Sequence, residues 1–301
     1  MVNAREVLPL LRGQLLQNEP LDRYTSWRIG GPADYLYLPA DLEDLIYFLR
    51  HFPQTIPVTW LGLGSNTLVR DGGVRGTVVI TQGALNSLTE INEESIYAGA
   101  GIASAQLARY AGRLGMEGLA FLAGIPGTVG GALAMNAGCF NGETWRFIAS
   151  VDVINRRGEM ATRSPQDFVI SYREVAWPRD EWFIGGQFIC ARGEKAKAMD
   201  AIRCLLEMRS KTQPTGLFNC GSVFRNPPNQ HAGRLIEQCG LKGKGRGGAV
   251  VSDKHANFII NQNHATANDV EQLIAEISET VLHQTGVQLM REVCIVGSLS
   301  A

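Results

Sequence analysis

Two glycine-rich segments are suited to binding a phosphorylated ligand through the main chain. The first follows the apolar run Val58–Leu61 and reads Gly-Leu-Gly-Ser-Asn over residues 62–66. The second reads Gly-Ile-Pro-Gly-Thr-Val-Gly-Gly over residues 124–131 and carries no charged side chain. Glycine permits positive φ and leaves no side chain in the way, so successive N–H groups can point at one anion. The first segment is neither a Walker loop nor a Rossmann fingerprint, and a tightly packed core helix is the alternative for the second.

Short strands and helices are predicted around these loops, which indicates an α+β fold. The chain is expected to open with an amphipathic helix over residues 7–17, with Val7, Leu8, Leu11 and Leu15 on one face. Further helices are expected after the caps Asp41, Ser104 and Thr266, and over residues 195–209 and 233–239. Strands are expected near residues 35–38, 58–61, 77–81, 95–101, 150–154, 160–163, 182–192, 248–251, 258–261 and 287–296.

Composition places the chain among soluble globular proteins. Of its 301 residues, 45% are hydrophobic and 19% charged, and the formal net charge of -1 gives no basic footprint for nucleic acid. No apolar run approaches the roughly 20 residues that span a bilayer. Its six cysteines include no Cys-x-x-Cys pair, so reduced thiols, a cytoplasmic location and no metal site are expected.

Nine motifs in a fixed order resemble those of the UDP-N-acetylenolpyruvoylglucosamine reductase family. Beyond the two glycine loops, they include the segments that begin at Thr25, Asn136, Ser171, Gly221, Ala232, Lys254 and Arg291. The resemblance runs nearly end to end. Trp27 stands where phenylalanine is usual and Cys220 where alanine is common. No long tyrosine-bearing insertion lies between residues 174 and 194, so the chain is similar to the shorter subclass.

The resemblance implies an α+β fold with an FAD-binding domain of the vanillyl-alcohol-oxidase/PCMH type and a C-terminal α+β substrate domain. On this basis residues 1–21 would form an N-terminal helix and residues 22–194 the FAD-binding domain, in two subdomains split near residue 85. Residues 195–301 would form the substrate domain. The flavin would be bound non-covalently, with contacts from Gly62, Gly64, Ser65, Asn66, Gly124, Gly127, Thr128, Gly130 and Gly131.

The implied reaction reduces the enolpyruvyl group of a UDP-sugar in peptidoglycan synthesis, with NADPH as the hydride donor. By the same resemblance, Arg173 and Glu292 stabilise the enolate-like intermediate and Ser222 donates the proton. From the residues alone, Arg173 could be a surface arginine, Ser222 a turn residue and Glu292 an outward side chain of an alternating strand.

Further polar residues are candidates for the substrate's diphosphate and carboxylate. They are Tyr172, Lys211, Arg225, Asn226 and Lys254, together with the basic loop over residues 242–246. His255 has no second ligand at metal-binding spacing, so it is interpreted as structural or substrate-contacting.

Two other functions are compatible with parts of the sequence. A flavin-dependent oxidase of hydroxy acids or alcohols could share the fold but should lack the Gly221-Ser222 and Arg291-Glu292 pairing. A non-catalytic protein that binds FAD or a nucleotide sugar could keep the glycine loops but should have lost Arg173, Ser222 or Glu292. The expected partners are therefore the UDP-sugar and NADPH, with no nucleic acid, membrane insertion or required protein partner.

Overall fold

The computed structural model describes residues 8–178 and 180–299, which combine helices and strands as predicted. The α-helices of this part of the chain are α1 (Leu42–His51), α2 (Ser104–Arg113), α3 (Val129–Met135), α4 (Lys195–Thr212), α5 (Ala232–Gln238) and α6 (Ala267–Thr285). Short 3-10 turns cover Leu21–Tyr24, Leu119–Gly124, Thr144–Phe147 and Pro165–Asp167.

The strands are short, and many pair as hairpins. They are β1 (Gln14–Pro20), β2 (Pro32–Leu38), β3 (Val58–Leu61), β4 (Thr67–Val69), β5 (Val74–Ile80), β6 (Leu88–Asn92), β7 (Ser95–Gly99), β8 (Met116–Glu117), β9 (Gly138–Cys139), β10 (Gly142–Glu143), β11 (Ile148–Asn155), β12 (Met160–Arg163), β13 (Val169–Ser171), β14 (Glu174–Ala176), β15 (Glu181–Ile189), β16 (Ala191–Arg192), β17 (Gly245–Arg246), β18 (Ala249–Val251), β19 (Ile259–Asn261) and β20 (Cys294–Val296). Only a short connection separates β14 from β15, which agrees with the absence of a long insertion there.

Two compact units divide the chain, and neither is a continuous segment. The first comprises Met1–Gln17, Tyr35–Leu63 and Gly76–Met208, and the second comprises Asn18–Asp34, Gly64–Arg75 and Arg209–Ala301. This division differs from the predicted contiguous one of 1–21, 22–194 and 195–301, because two N-terminal segments group with the C-terminal residues.

The first unit contains two sheets, each with its own core. An antiparallel sheet in the order β12-β11-β15-β7-β6 packs with α2 and α3 over buried side chains that include Leu107, Leu133 and Phe188. A second sheet, in the order β1-β2-β5-β3, belongs with α1 and a cluster around Phe48 and Val79. These two clusters agree with the two subdomains implied by the family resemblance.

The second unit is organised around α6. Its apolar stripe of Val270, Leu273, Ile274, Ile277 and Val281 is buried as predicted. Thr266 and Asp269 form a capping box at the start of this helix, and Gly286 ends it in the left-handed conformation. The sheet β17-β18-β19 and the parallel pair β4-β20 complete the unit.

Trp27 lies in the core of the second unit. Its side chain is fully buried, and its indole N–H donates to the Ile259 carbonyl at 2.7 Å. Asn261 donates in return to the Trp27 carbonyl at 2.9 Å. The larger ring that this chain has in place of the usual phenylalanine therefore has a partner for its polar group.

The predicted N-terminal helix is wrong. Val7 lies outside the described residues, and from Gln14 the chain forms β1, while Leu8, Leu11 and Leu15 pack in the core around Phe48. The cause is a tertiary contact, because the Asp44 carboxylate accepts from the amides of Arg12 at 2.7 Å and Gly13 at 2.8 Å. A sequence pattern with helical spacing cannot reveal that these amides have a partner elsewhere.

Two smaller predictions also need correction. Ala103, not Ser104, is the N-cap of α2, and Ser104 is its first helical residue. The predicted final strand over residues 287–296 is regular only at Cys294–Val296, so Glu292 lies before it rather than within it. No helix among the described residues has the length and apolar character needed to cross a membrane.

We predict that Asp44→Asn lowers the free energy of unfolding by about 2–3 kcal/mol at neutral pH. Asp44 is buried and also accepts from the Tyr37 hydroxyl at 2.6 Å and the Ala40 amide at 2.9 Å. Burial alone would raise its pKa, but these hydrogen bonds lower the pKa below the usual value. The stabilisation is therefore complete above the unfolded-state pKa of about 3.9 and is lost as the pH falls through the lower folded-state value.

This effect is measured by urea unfolding of wild type and Asp44→Asn from about pH 3 to about pH 7, a range that includes the usual titration of carboxyl groups. The exposed Glu43→Gln, on the same helical turn, is the control and should change little. A stability difference that stays constant through the acidic range would contradict an ionised Asp44 as the cause.

Candidate active site

Within the first unit, the start of the first predicted glycine loop meets the second loop. Gly62 follows β3, and a Cβ added to it would lie 2.5 Å from the Thr128 hydroxyl oxygen. Thr128 is the N-cap of α3, and its hydroxyl accepts from the Gly131 amide at 3.3 Å. Only glycine at position 62 allows this approach, so the loop after β3 and the start of α3 line one surface.

The amides at the start of α3 donate within the protein. Val129 donates to the Ile102 carbonyl at 2.8 Å, and Gly130 donates to the Ala100 carbonyl at 2.9 Å. A Cβ at Gly130 would lie 2.9 Å from the Cβ of Ala100. Gly130 therefore serves close packing, and the amides of Gly130 and Gly131 both have partners within the protein rather than pointing at a ligand as the sequence predicted. Gly124 is buried at the end of a 3-10 turn, and Gly127 has a φ of +153°.

Gly64 requires its glycine for two reasons. Its φ is +61°, and a Cβ there would lie 2.3 Å from the Tyr24 carbonyl oxygen. The Gly64 carbonyl accepts from the Ser26 amide at 3.1 Å. These contacts, all within the second unit, fix the turn that presents Ser65 and Asn66 before β4.

Arg173 lies in a two-residue turn with Tyr172, between the paired strands β13 and β14. Its φ of +58° is left-handed, and its guanidinium lies over the Tyr172 ring at 4.8 Å from the ring centroid. The guanidinium also donates to the carbonyls of Asn136, at 3.4 Å, and Gly138. Arg173 is therefore a half-buried, anchored cation rather than a freely moving surface side chain.

Asn136 and Gly138 are positioning residues that the sequence interpretation had given no role. Asn136 ends α3 with a φ of +45°, and its side-chain amide donates to the Ser171 carbonyl at 3.0 Å. A Cβ at Gly138 would lie 2.9 Å from a guanidinium nitrogen of Arg173. The segment Asn136-Ala-Gly138 was one of the motifs that carried the resemblance, and that is the signal that could have identified it.

Ser222 lies in an irregular segment that Asn257 holds in place. The Asn257 side chain accepts from the Phe224 amide at 2.9 Å and donates to the Phe224 carbonyl at 2.8 Å. The Asn257 carbonyl accepts from the Val223 amide at 2.9 Å. Asn257 is only 3% exposed, so this side chain replaces a strand partner for the residues just after Ser222.

Glu292 is joined to the same segment through the main chain. Its amide donates to the Val223 carbonyl at 2.8 Å, and its carbonyl accepts from the Asn66 side chain at 3.0 Å. The second unit thus brings Ser222 and Glu292 to neighbouring positions although 70 residues separate them in the sequence. Arg173, the third predicted catalytic residue, belongs to the first unit.

Some of the predicted substrate-binding residues have structural contacts of their own. Asn226 accepts from the Ala232 amide at 3.0 Å and so caps α5. Lys254 donates from its Nζ to the Ser210 carbonyl at 2.5 Å, near the C-terminal end of α4. The Arg225 amide donates to the Met290 carbonyl at 2.8 Å, and Lys211 is exposed in the last turn of α4.

His255 packs against neighbouring residues of the second unit. Its ring meets Phe258 edge-on at 4.9 Å between centroids, and its Nδ1 accepts from the Asn257 amide at 3.2 Å. Burial lowers its pKa below the usual value, so the ring is neutral at pH 7. These contacts support the structural interpretation of His255.

The basic loop over residues 242–246 is paired with carboxylates. Lys242 lies 2.6 Å from Glu237, and both Lys244, at 3.5 Å, and Arg246, at 2.5 Å, contact Glu276 of α6. Each of the three cations has a carboxylate partner, although Lys244 and Arg246 share Glu276, so the expectation that this loop binds the diphosphate has no support from the geometry.

Comparison with protein families and sequences gives two domain matches and several full-length relatives. Residues 213–296 match the C-terminal domain of UDP-N-acetylenolpyruvoylglucosamine reductase, and residues 33–164 match an FAD-binding domain. A UDP-N-acetylenolpyruvoylglucosamine reductase of Legionella pneumophila strain Corby is 54% identical over 95% of this chain and 93% of the relative. One from Alkalilimnicola ehrlichii is 51% identical over 99% of this chain and 98% of the relative.

Solved structures give the same picture of the fold. UDP-N-acetylenolpyruvylglucosamine reductase from Thermus caldophilus matches with a TM-score of 0.80 and 31% identity, covering 95% of this chain and 99% of that one. BBE-like 1 of Physcomitrella patens matches with a TM-score of 0.54 and 10% identity over 94% and 89% of the two chains, a similarity of fold alone. The predicted fold class, an FAD-binding domain of the PCMH type with a C-terminal α+β domain, is confirmed.

We predict that Asn257→Ala destabilises the second unit by about 2–3 kcal/mol, because it leaves a buried amide and a buried carbonyl of Phe224 without partners. Urea unfolding followed by tryptophan fluorescence measures this loss, since Trp27 lies in the same core. The exposed Asn263→Ala, in the same unit, is the control. Equal stability of the two variants would show that Asn257 does not organise the Ser222 segment.

Proposed function

This chain belongs to the UDP-N-acetylenolpyruvoylglucosamine reductase family, and on that basis we propose that it reduces the enolpyruvyl group of UDP-N-acetylglucosamine enolpyruvate to give UDP-N-acetylmuramate. The proposed hydride donor is NADPH, and the proposed role is in peptidoglycan synthesis. Full-length relatives of this name at 51–54% identity support the proposal. Family membership makes the chain an FAD-dependent oxidoreductase.

The residues of the first unit fit an FAD molecule at the glycine loops. The Thr128 side chain lies against Gly62, so the loop after β3 and the N-cap of α3 are close enough to contact one pyrophosphate. In the proposed site, Gly62, Gly127 and Thr128 of the first unit would hold the pyrophosphate. Gly64, Ser65 and Asn66, which continue the first loop in the sequence, are proposed FAD contacts on the family resemblance. Bound FAD would take reducing equivalents from NADPH and deliver a hydride to the methylene carbon of the enolpyruvyl group.

Arg173 is proposed to bind the substrate carboxylate. A planar guanidinium can hold a carboxylate by two parallel hydrogen bonds. Its existing contacts with the carbonyls of Asn136 and Gly138 fix its position before substrate arrives, so little rotamer freedom remains to be lost. Charge that builds on the carboxylate during reduction would then be stabilised by a preorganised cation.

Ser222 is proposed to donate the proton to the substrate carbon next to the carboxylate, with Glu292 orienting that proton. A serine hydroxyl is a weak acid, so it needs stabilisation of its conjugate base. The observation that carries this proposal is the 2.8 Å hydrogen bond from the Glu292 amide to the Val223 carbonyl. That bond supports the proposal because it brings the backbone of Glu292 next to the residue that follows Ser222.

Tyr172, Lys211, Arg225, Asn226, Lys254 and His255 remain proposed substrate contacts, of unequal support. Tyr172 is 43% exposed beside the Arg173 guanidinium, which favours a substrate contact. Asn226 and His255 already have structural partners, so their proposed contribution is to shape rather than to charge.

The proposed function is tested by spectroscopy of the purified protein. We expect a yellow protein whose visible absorbance falls when NADPH is added without oxygen and returns when the enolpyruvyl UDP-sugar follows. Mass spectrometry should then show UDP-N-acetylmuramate. Gly62→Val, which would force a side chain into Thr128, is the control and should lose the flavin.

Two results would contradict the proposal. Bleaching of the flavin by a hydroxy acid or an alcohol, followed by return of the absorbance with oxygen but not with the enolpyruvyl substrate, would indicate an oxidase. Binding of FAD without reduction by NADPH would indicate a non-catalytic protein.

We predict that Ser222→Ala separates the two half-reactions. Reduction by NADPH needs no proton from the protein at the substrate carbon, so its rate should stay near that of wild type. Reoxidation by the enolpyruvyl substrate should slow by about 10²–10⁴-fold, the usual contribution of a general acid. Stopped-flow absorbance measures both steps.

Ser222→Cys is the matched variant for this prediction. Its more acidic side chain in the same place should recover part of the lost rate. If Ser222→Ala slows both half-reactions equally, the serine is structural and the proton donor lies elsewhere.

A further inference from the structure

Asn66 makes two contacts that bracket Glu292. Its side-chain amide donates to the Glu292 carbonyl at 3.0 Å, and its own carbonyl accepts from the Cys294 amide at 3.0 Å. The parallel pairing of β4 with β20 begins one residue later, where Thr67 is opposite Cys294. The Asn66 side chain thus adds one hydrogen bond beyond the end of the paired strands, and the acceptor of that bond is the Glu292 carbonyl.

The same loop also contacts the segment before Ser222. The Cys220 thiol donates to the carbonyls of Gly64 at 3.5 Å and Thr67 at 3.6 Å. Burial raises the pKa of this thiol to about 12, so it stays protonated and can donate. Residues 64–67 therefore contact one side of the Ser222 segment through Cys220 and Glu292 through Asn66.

A hydrogen bond to the Glu292 carbonyl restricts the backbone that carries the Glu292 side chain. The amide of Glu292 is bonded to Val223 and its carbonyl to Asn66, so both peptide groups around its Cα have fixed partners. Loss of the Asn66 donor would free one of them. The carboxyl group would then sample a wider range of positions, and proton transfer is sensitive to displacements of this kind.

We propose that Asn66 is a positioning residue for Glu292 and that it couples the glycine loop over residues 62–66 to the proton-delivery pair Ser222 and Glu292. Binding of FAD orders this loop, and the order passes through the Asn66 amide to Glu292 and on to Val223. The inference rests on the proposed function for the role of the pair. The coupling itself involves only this chain and FAD.

The first test measures amide hydrogen exchange in flavin-free protein with and without added FAD. In wild type, FAD should slow exchange of the amides of Glu292 and Cys294. Asn66→Asp keeps the size of the side chain but removes the donor and places a carboxylate against the Glu292 carbonyl. It should speed exchange of these amides by about fivefold, the factor that corresponds to ~1 kcal/mol for one hydrogen bond, and abolish the FAD effect.

The second test measures the two half-reactions at saturating FAD. Asn66→Asp should slow transfer to the enolpyruvyl substrate about tenfold more than it slows reduction of the bound flavin by NADPH. The pH profile of the second step should shift, because the Glu292 carboxyl no longer has a fixed environment. Asn66→Ser, whose hydroxyl can still donate, should recover part of the rate, and the exposed Asn263→Asp should behave as wild type.

Specific outcomes would overturn the coupling. Unchanged exchange of residues 292–294 in Asn66→Asp, or an FAD effect that persists in it, would show that the Asn66 side chain transmits nothing. Equal loss in both half-reactions at full flavin occupancy would place Asn66 in flavin binding alone. If wild type binds FAD but does not reduce the enolpyruvyl substrate, the proposed function fails while the exchange experiment still decides the coupling.

Discussion

The segment that carries Ser222 has no regular secondary structure, so several of its buried backbone groups depend on side chains for hydrogen bonds. Asparagines provide them. Asn257 pairs with both polar groups of the Phe224 backbone, Asn219 accepts from the Gly221 amide at 2.9 Å, and Asn226 caps the helix that follows. An amide side chain suits this task because it offers a donor and an acceptor in one plane, as a peptide group does. A fixed, irregular loop can then present a hydroxyl in a direction that neither a helix nor a strand would allow.

Elements whose ends have local signals were predictable from the sequence. Asp41 and Thr266 cap α1 and α6, and Gly286 ends α6, because caps depend on residues within one turn of the helix. The N-terminal helix failed for the opposite reason: the amides of Arg12 and Gly13 bond to Asp44, which lies more than 30 positions away in the sequence. A helical pattern gives no sign of such a distant partner.

The candidate site was predictable as a set of motifs but not as a set of contacts. The family resemblance pointed to Arg173, Ser222 and Glu292, and in the structure the backbone of Glu292 is bonded to the residue after Ser222. The roles of Asn136, Asn257 and the Asn66 side chain depend on pairs far apart in sequence, such as the 226 positions between Asn66 and Glu292. The basic loop over residues 242–246 is a similar case. Its charges favour a phosphate site in the sequence, but in the structure Arg246 contacts Glu276, which lies 30 residues further along the chain.

The position of Trp27 in the core of the second unit also constrains how the chain folds during its synthesis. Its partner Ile259 is 232 residues later, and β4 pairs with β20 near the other end of the chain. Residues 18–34 and 64–75 leave the ribosome long before the segments that will bury them, so Trp27 and Leu68 stay exposed while most of the first unit is made. Contacts of such long range slow folding and prolong the exposure of apolar surface. The second unit can therefore fold only after its last segments have been made, and until then the apolar side chains of its early segments lack their native partners.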